Sequence, residues 1–415
     1  MRAQIIAIGD EVLIGQIRDT NSHWIASFLN ENGVRVERFN VVSDKAEAIA
    51  EAIENCEKSG VQVVFVTGGL GPTKDDITKK TLADYFGMEL VFHEPSWTNL
   101  VKLFAKYGRK VTDDFKWQCN MPQGATILIN PVGTASGMWF QRDNFVVVSM
   151  PGVPHEMKHL MENQVVTLLK DRFKSSPILH HVIMTYGIGE TTLSNLLENF
   201  ENNLPPHLKL AYLPYLGGVR LRLTGKADDE ADLKHDLTTK GAELQELVKK
   251  YAFGEGDTTL EEYLAQILVK KKLTLATAES CTGGLISNML VTRSGASLYF
   301  QGSVVAYTND AKNKVLGVSY QTLDQFGAVS EQTVLQMATN VLNVLNAKIA
   351  VAVSGISGPG GGSPDKPVGT VCIAVADNTR SQAFTVRFGK ERAQNMELTA
   401  NSALYALIQF VETHY

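Results

Sequence analysis

Three apolar runs of strand length in the first 157 residues each end abruptly in a glycine or proline turn: QIIAIGD (4–10), VQVVFVTGGLGPT (61–73) and NFVVVSMPGVPHEM (144–157). A strand with one wet face would alternate apolar and polar residues. These runs do not, so they read as strands buried on both faces of a parallel sheet. The segments between them have helical spacing. DTNSHWIASFLNENG sets Trp24, Ile25, Phe28 and Leu29 on one face and stops at Gly33. SDKAEAIAEAIENCEKSG spaces Ala46, Ile49, Ile53 and Cys56 behind a cap at Ser43 or Asp44. VRVERFNVV supplies a further strand. This alternation predicts an α/β, doubly wound sheet over about 170 residues.

The pattern breaks near DRFKSSPIL. A strand (HHVIMTYG), a helix (GETTLSNLLENF), a strand (GVRLRLTG) and a charged helix (DEADLKHDLTTKGAELQELVKK) then make a small α+β module. FGEGDTT reads as a hinge, and a last α/β region follows, with strands at KLTLATAES, GSVVAYTN, AKIAVAVSGISG, GTVCIAVAD and QAFTVRF. The last two are close enough to form an antiparallel hairpin. The expected domains are 1–172, 178–253 and 257–415, in keeping with a 415-residue chain too long for one core. A net charge of −5 offers no general attraction to nucleic acid or anionic lipid. Four scattered cysteines without a CxxC pair argue against disulfides or zinc and fit a reducing cytoplasm. The opening MRAQIIAIGDEVL lacks a signal peptide's long apolar core, and no run is long enough to span a membrane.

The chemistry of the last region starts at ATAESCTGG (276–284), where Ser280, Cys281 and Thr282 offer three hydroxyl or thiol groups at a strand-to-helix turn. Backbone N–H groups at such a turn suit a developing oxyanion. Serine needs a base, and no histidine occurs between residue 256 and His414. Lys312, five residues after Tyr307, is the remaining candidate, because burial can lower a lysine's pKa. Cys281 is an alternative nucleophile that has no histidine partner, and Thr282 suits a helix cap. The loop SGISGPGGGSPDKPVGT (354–370) is too rich in glycine and proline for a regular element, and its backbone can approach a ligand closely.

In the first region VTGGLGPTKDD (66–76) puts a glycine-rich turn after a strand and paired carboxylates before a helix. The turn suits a phosphate, and Asp75 and Asp76 suit a divalent cation or a helix cap. GDEVLIGQIRDTNS, INPVGTASGM and MPGVPHEM accompany it. His155 and His159 have i, i+4 spacing, but with no third ligand in view they read as surface or phosphate contacts.

AESCTGG, YTNDAK, GAVSE and SGISGPGGG…KPVGTV together resemble the C-terminal domain of the CinA family, with SGISGP where TGIAGP is commoner. The first-region motifs resemble the MoaB, MogA and MoeA fold and, more closely, the N-terminal domain of CinA proteins. YGIGETTLSN and YLPYLGGVRLRLTG resemble that family's middle element. The resemblance implies a MoaB/MogA-like domain, a KH-type module without a basic GxxG loop, and a nicotinamide-nucleotide (NMN) amidohydrolase domain. It implies Ser280 as nucleophile with Tyr307 and Lys312 assisting, and substrate contacts from Thr282, Gly283, Gly284, Ser354, Gly355, Gly358 and Gly360. At the N-terminal site it implies ADP-ribose hydrolysis, with Asn21, Thr67, Gly68, Gly69 and Gly71 at the substrate. Asp10, Asp76 and Glu156 would hold a divalent metal (Mg, Mn or Co), with K+ also present. The C-terminal site would need no cofactor. A cytoplasmic homodimer acting on small nucleotides is expected, without membrane or nucleic acid. The rivals are a molybdopterin-binding module with a silent N-terminal site and a competence-related interaction protein.

Overall fold

The structure is a computed structural model that describes residues 1–71, 73, 76–173, 177–254 and 256–415. It divides into two compact units, Met1–His180 with Gly225–His235, and His181–Thr224 with Asp236–Tyr415.

In the first unit β1 (Arg2–Ile8), β2 (Arg35–Val42) and β3 (Val63–Thr67) lie parallel, and a short antiparallel pair, β4 (Leu90–Phe92) and β5 (Asn120–Pro122), stands apart. β6 (Thr126–Leu128), β7 (Gly137–Arg142) and β8 (Phe145–Met150) complete a sheet of order β2-β1-β3-β8-β7-β6. Its first four strands are parallel and its last two pairings antiparallel. Successive strand residues point to opposite faces, so both faces carry core. Ile5, Phe65 and Val148 pack with Ile25 and Leu29 of helix Thr20–Glu31. Ile6, Val64 and Val147 pack with Ile49, Ile53 and Leu82 from the other layer of helices. This double covering is why the strand runs are continuously apolar. The expected cap at Ser43 or Asp44 is not made. Helix Ala46–Lys58 follows Lys45 without a side-chain cap, and Asp44 accepts instead from the Asp10 N–H at 2.9 Å.

β9 (Ile178–Tyr186), β10 (Leu208–Tyr215), β11 (Gly218–Lys226) and β12 (Ala252–Phe253), all but a few end residues of which belong to the second unit, form a sheet of order β10-β11-β9-β12. Ile183, Val219 and Leu221 pack there against Leu193, Leu197 and Phe200 of helix Glu190–Asn202. β10 was absent from the sequence pattern because its LKLAYLPY carries neither a clean alternation nor an apolar run. The expected hinge begins inside structure, since Ala252 pairs with Thr185 and Phe253 is buried.

β13 (Leu275–Glu279), β14 (Phe300–Val305), β15 (Ile349–Gly355), β16 (Thr370–Asp377) and β17 (Ser381–Arg387) form the largest sheet of this unit, of order β14-β13-β15-β16-β17. β14, β13 and β15 are parallel, and β16 and β17 make the expected hairpin. The two faces differ in side-chain size. One presents Leu275, Ile349, Val351, Val353, Ile373 and Val375. The other presents Ala276, Ala278, Ala350, Ala352, Ala374 and Ala376 to Val334, Met337 and Val341 of helix Glu331–Leu345. The carboxyl ends of the three parallel strands open together, the usual place for a site in an α/β sheet.

Candidate active sites

The C-terminal site is assembled at those carboxyl ends. β13 delivers Ser280, whose N–H donates to the Val353 carbonyl of β15. β14 runs out to Ala306 and Tyr307, and helix Asn309–Leu316, capped by Thr308, turns Lys312 back beneath the serine. Lys312 Nζ donates to Ser280 Oγ at 2.9 Å, to the Ala306 carbonyl at 2.8 Å and to the Tyr307 carbonyl at 3.3 Å. The lysine is only 1% exposed, and burial, opposed by the neighbouring Cys281, pulls its pKa below the ordinary value. Burial favours the neutral amine, whose two N–H groups can stay on the carbonyls while its lone pair turns to Ser280 Oγ and takes the serine proton. Cys281 is buried too, and that pushes its thiol up to about 12. At neutral pH the thiolate nucleophile is therefore absent.

Lys312 bonds the main chain of Tyr307, a residue that is 59% exposed and whose hydroxyl accepts from Arg392 Nη2 at 3.1 Å. One expectation is corrected here: Thr282 is not the cap of helix Leu285–Val291. The wholly buried carboxylate of Glu279 fills that place, accepting from the N–H groups of Gly284 (3.0 Å), Ile286 (3.1 Å) and Ser287 (2.8 Å) and from the Thr282 hydroxyl (2.7 Å). Three amides of the turn, those of Gly284, Ile286 and Ser287, are thus spent on Glu279. Gly283 donates its N–H to the Ser280 carbonyl and has a φ of 62°, the left-handed region that glycine favours.

Ser354 is buried and donates to the Ala328 carbonyl at 2.8 Å, pinning the GAVSE stretch to β15. Gly355 packs beside Cys281, Gly358 beside Val368, and Gly360 stands open. Arg392 joins loop and rim, because its Nη1 donates to the Gly358 carbonyl at 2.8 Å. Buried Asn395 adds a second tie through its bond to the Ser357 carbonyl at 2.9 Å. Glu279, Arg392 and Asn395 escaped the sequence reading. Glu279 was visible beside Ser280 in AESCTGG, whereas nothing local marks Arg392, which meets Tyr307 across 85 residues.

The N-terminal site is a cavity of about 440 Å³ whose walls bring together Asn21, Thr67, Gly68, Gly69, Gly71, Asp76 and Glu156 from the sequence motifs, and also Glu11, Arg18 and Asp44. Asn21 ties two loops together, donating to Thr67 Oγ1 at 3.0 Å and to the Gly152 carbonyl at 2.7 Å, while its Oδ1 has no partner among the described residues. Gly68 has a φ of 111° and lies against the Ile8 carbonyl, so a side chain there would collide with backbone. Asp76 accepts from the Thr73 N–H at 2.8 Å and from its hydroxyl, so it closes its own loop and does not cap helix Thr78–Phe86. Asp75 lies outside the described residues. Glu156 accepts from Asn130 at 2.6 Å, and burial raises its pKa. Asp10 is exposed and does not wall the cavity, since the one-turn helix Asp10–Leu13 points Glu11 there instead. Among the described residues no three His, Cys, Asp or Glu side chains close around one point, so the expected three-carboxylate metal centre is not preassembled. His155 is exposed and His159 half-buried.

A doubly wound domain with a phosphate-type loop, a KH-type module and a serine–lysine α/β domain in one chain define a fused protein with two candidate sites. Residues 4–171 match the "Probable molybdopterin binding domain", 180–254 the "Damage-inducible protein CinA KH domain" and 257–411 the "CinA C-terminal domain". The chain belongs to the CinA family. It is 44% identical over 402 residues to a CinA-like protein of Cytophaga hutchinsonii, covering 97% of this chain and 96% of the other. It is 42% identical to the CinA-like protein of Flavobacterium psychrophilum, covering all of both chains. Among solved structures, competence/damage inducible protein CihA from Agrobacterium tumefaciens is 44% identical over 38% of this chain and 96% of its own, with a TM-score of 0.35. Among the described residues no helix is long and apolar enough to cross a membrane.

Proposed function

We propose that the C-terminal domain hydrolyses NMN to nicotinate mononucleotide and ammonia, with Ser280 as nucleophile and Lys312 as base. The 2.9 Å bond between Lys312 Nζ and Ser280 Oγ, made by a buried lysine, carries the reading. Neutral Lys312 takes the serine proton as Oγ attacks the carboxamide carbon. The C–N bond then breaks, and Lys312 returns the proton to the departing ammonia. Water, activated by the same lysine, releases the acyl group from Ser280. Tyr307 and Arg392 sit at the rim, where they can contact the nucleotide. The domain assignment, 257–415 for this activity with 1–172 and 178–253 before it, is part of the proposal, as are a cytoplasmic location and a homodimer.

For the N-terminal domain we propose hydrolysis of ADP-ribose to AMP and ribose 5-phosphate. The cavity's glycine loop and Arg18 support a pyrophosphate ligand. Asp76 and Glu156 would hold a divalent ion (Mg, Mn or Co), since a substrate-assisted site needs only one or two carboxylates. When bound, such an ion would neutralise charge on the pyrophosphate. K+ belongs to the same reading through the family resemblance.

Ammonia release from NMN tests the main reading. Ser280→Ala is expected to lose activity by at least about 1,000-fold, and chelator to leave the wild type unchanged. Wild-type turnover by Ser280→Ala would remove the nucleophile from the proposal.

A further inference from the structure

We infer that Glu279 is the positioning residue of the catalytic turn, its buried carboxyl group holding Ser280 and Lys312 in register. The inference rests on the reading of Ser280 as nucleophile. Glu279 is wholly buried, yet among the described residues it makes no ion pair. A carboxylate in that situation is costly unless its oxygens are filled with donors.

They are filled by the segment immediately after the nucleophile. Oε2 accepts from Thr282 Oγ1 and from the amides of Gly284 and Ile286, and Oε1 from the Ser287 amide and, at 2.5 Å, the Ser287 hydroxyl. Five donors from residues 282–287 therefore converge on one side chain, and Ser280 and Cys281 bridge the gap between them. The turn's shape is thus set from beneath by one carboxyl group, with the first N–H groups of the helix as its partners. The main chain of the same residue fixes the base. The Glu279 carbonyl accepts from the Ala306 N–H at 2.8 Å, and the Ala306 carbonyl accepts from Lys312 Nζ at 2.8 Å. Nucleophile and base, 32 residues apart in sequence, are both referred to this one position.

Glutamine at 279 keeps the shape but replaces one acceptor by an NH2 group facing donors, so part of the cluster must open. The displacement falls on Ser280 Oγ, not on the exposed rim.

The test compares wild type, Glu279→Gln, Ser287→Ala and Ser280→Ala by the rate at which a fluorophosphonate labels Ser280, by kcat and KM for NMN, and by melting temperature. Glu279→Gln is expected to slow both labelling and kcat by about 100-fold with little change in KM, the scale of a misplaced reacting group. Ser287→Ala, which removes one donor, is expected to slow both several-fold while melting as the wild type does. Labelling of folded Glu279→Gln at the wild-type rate would overturn the inference. If Glu279→Gln does not fold, Ser287→Ala decides, and wild-type labelling there overturns it. Should NMN prove not to be hydrolysed while labelling still falls as expected, the substrate assignment fails and the positioning role stands. A Ser280→Ala protein that still turns over NMN would remove the nucleophile and the positioning role with it.

Discussion

Lys312 shows how one side chain's burial sets a pH dependence. Its folded pKa lies below the ordinary value near 10.5, because burial penalises the ammonium. In the proposed mechanism the neutral form is the base, so kcat for NMN should rise with pH and level off above the lowered pKa. The limb should fall closer to neutrality than that of a solvated lysine. Lys312→Arg cannot supply a neutral base and should lose about 100- to 10,000-fold in kcat at every pH, measured as a pH–rate profile. Retention of a rising limb in that variant would exclude Lys312 as its source. Linkage has a definite sign. The unfolded chain holds the proton more tightly, so this group's contribution to stability increases with pH between the lowered folded value and about 10.5. The lysine was legible as the one base near a histidine-free serine. Its perch on two carbonyls was not, because main-chain acceptors leave no mark in a sequence.

Among the elements, the alanine face of the C-terminal sheet is the most demanding. AVAV in β15 and CIAVA in β16 alternate small and branched residues, so one helix can lie close on one side while bulky side chains fill the other. Ala352 is wholly buried against helix Glu331–Leu345, and Ala352→Leu should destabilise by about 1–3 kcal/mol through overpacking, read as a lower denaturation midpoint. An unchanged midpoint would mean that the helix can withdraw freely. Strands of this kind were readable because burial on both faces writes itself as an apolar run. Caps were not. Asp44, Asp76 and Thr282 all had the right chemistry for capping, but their side chains are committed elsewhere or displaced by a stronger acceptor. Whether Asp10 or Glu11 faces the cavity depended on the phase of a single helical turn, which periodicity cannot resolve.

At the scale of the whole molecule, the two candidate sites lie in different compact units and share no wall residue. Asp76→Asn should therefore reduce AMP release from ADP-ribose by about tenfold or more and weaken its metal dependence, while ammonia release from NMN stays at the wild-type rate. Assaying both activities on one preparation checks this, and a parallel fall in the two would point to coupling between units. The glycine loop and its accompanying motifs located the N-terminal cavity from sequence. The number of carboxylates meeting there could not be read, since spacing along a chain does not tell which acids converge. All four cysteines are buried, and burial raises every one of their pKa values, Cys56 to about 11 and Cys281 to about 12. The folded protein thus offers almost no thiolate to peroxide or to an electrophilic drug. If the proposed serine–lysine chemistry holds, the neighbouring sulfur of Cys281, buried and with its pKa raised, leaves the site without the oxidisable thiolate on which a cysteine enzyme depends.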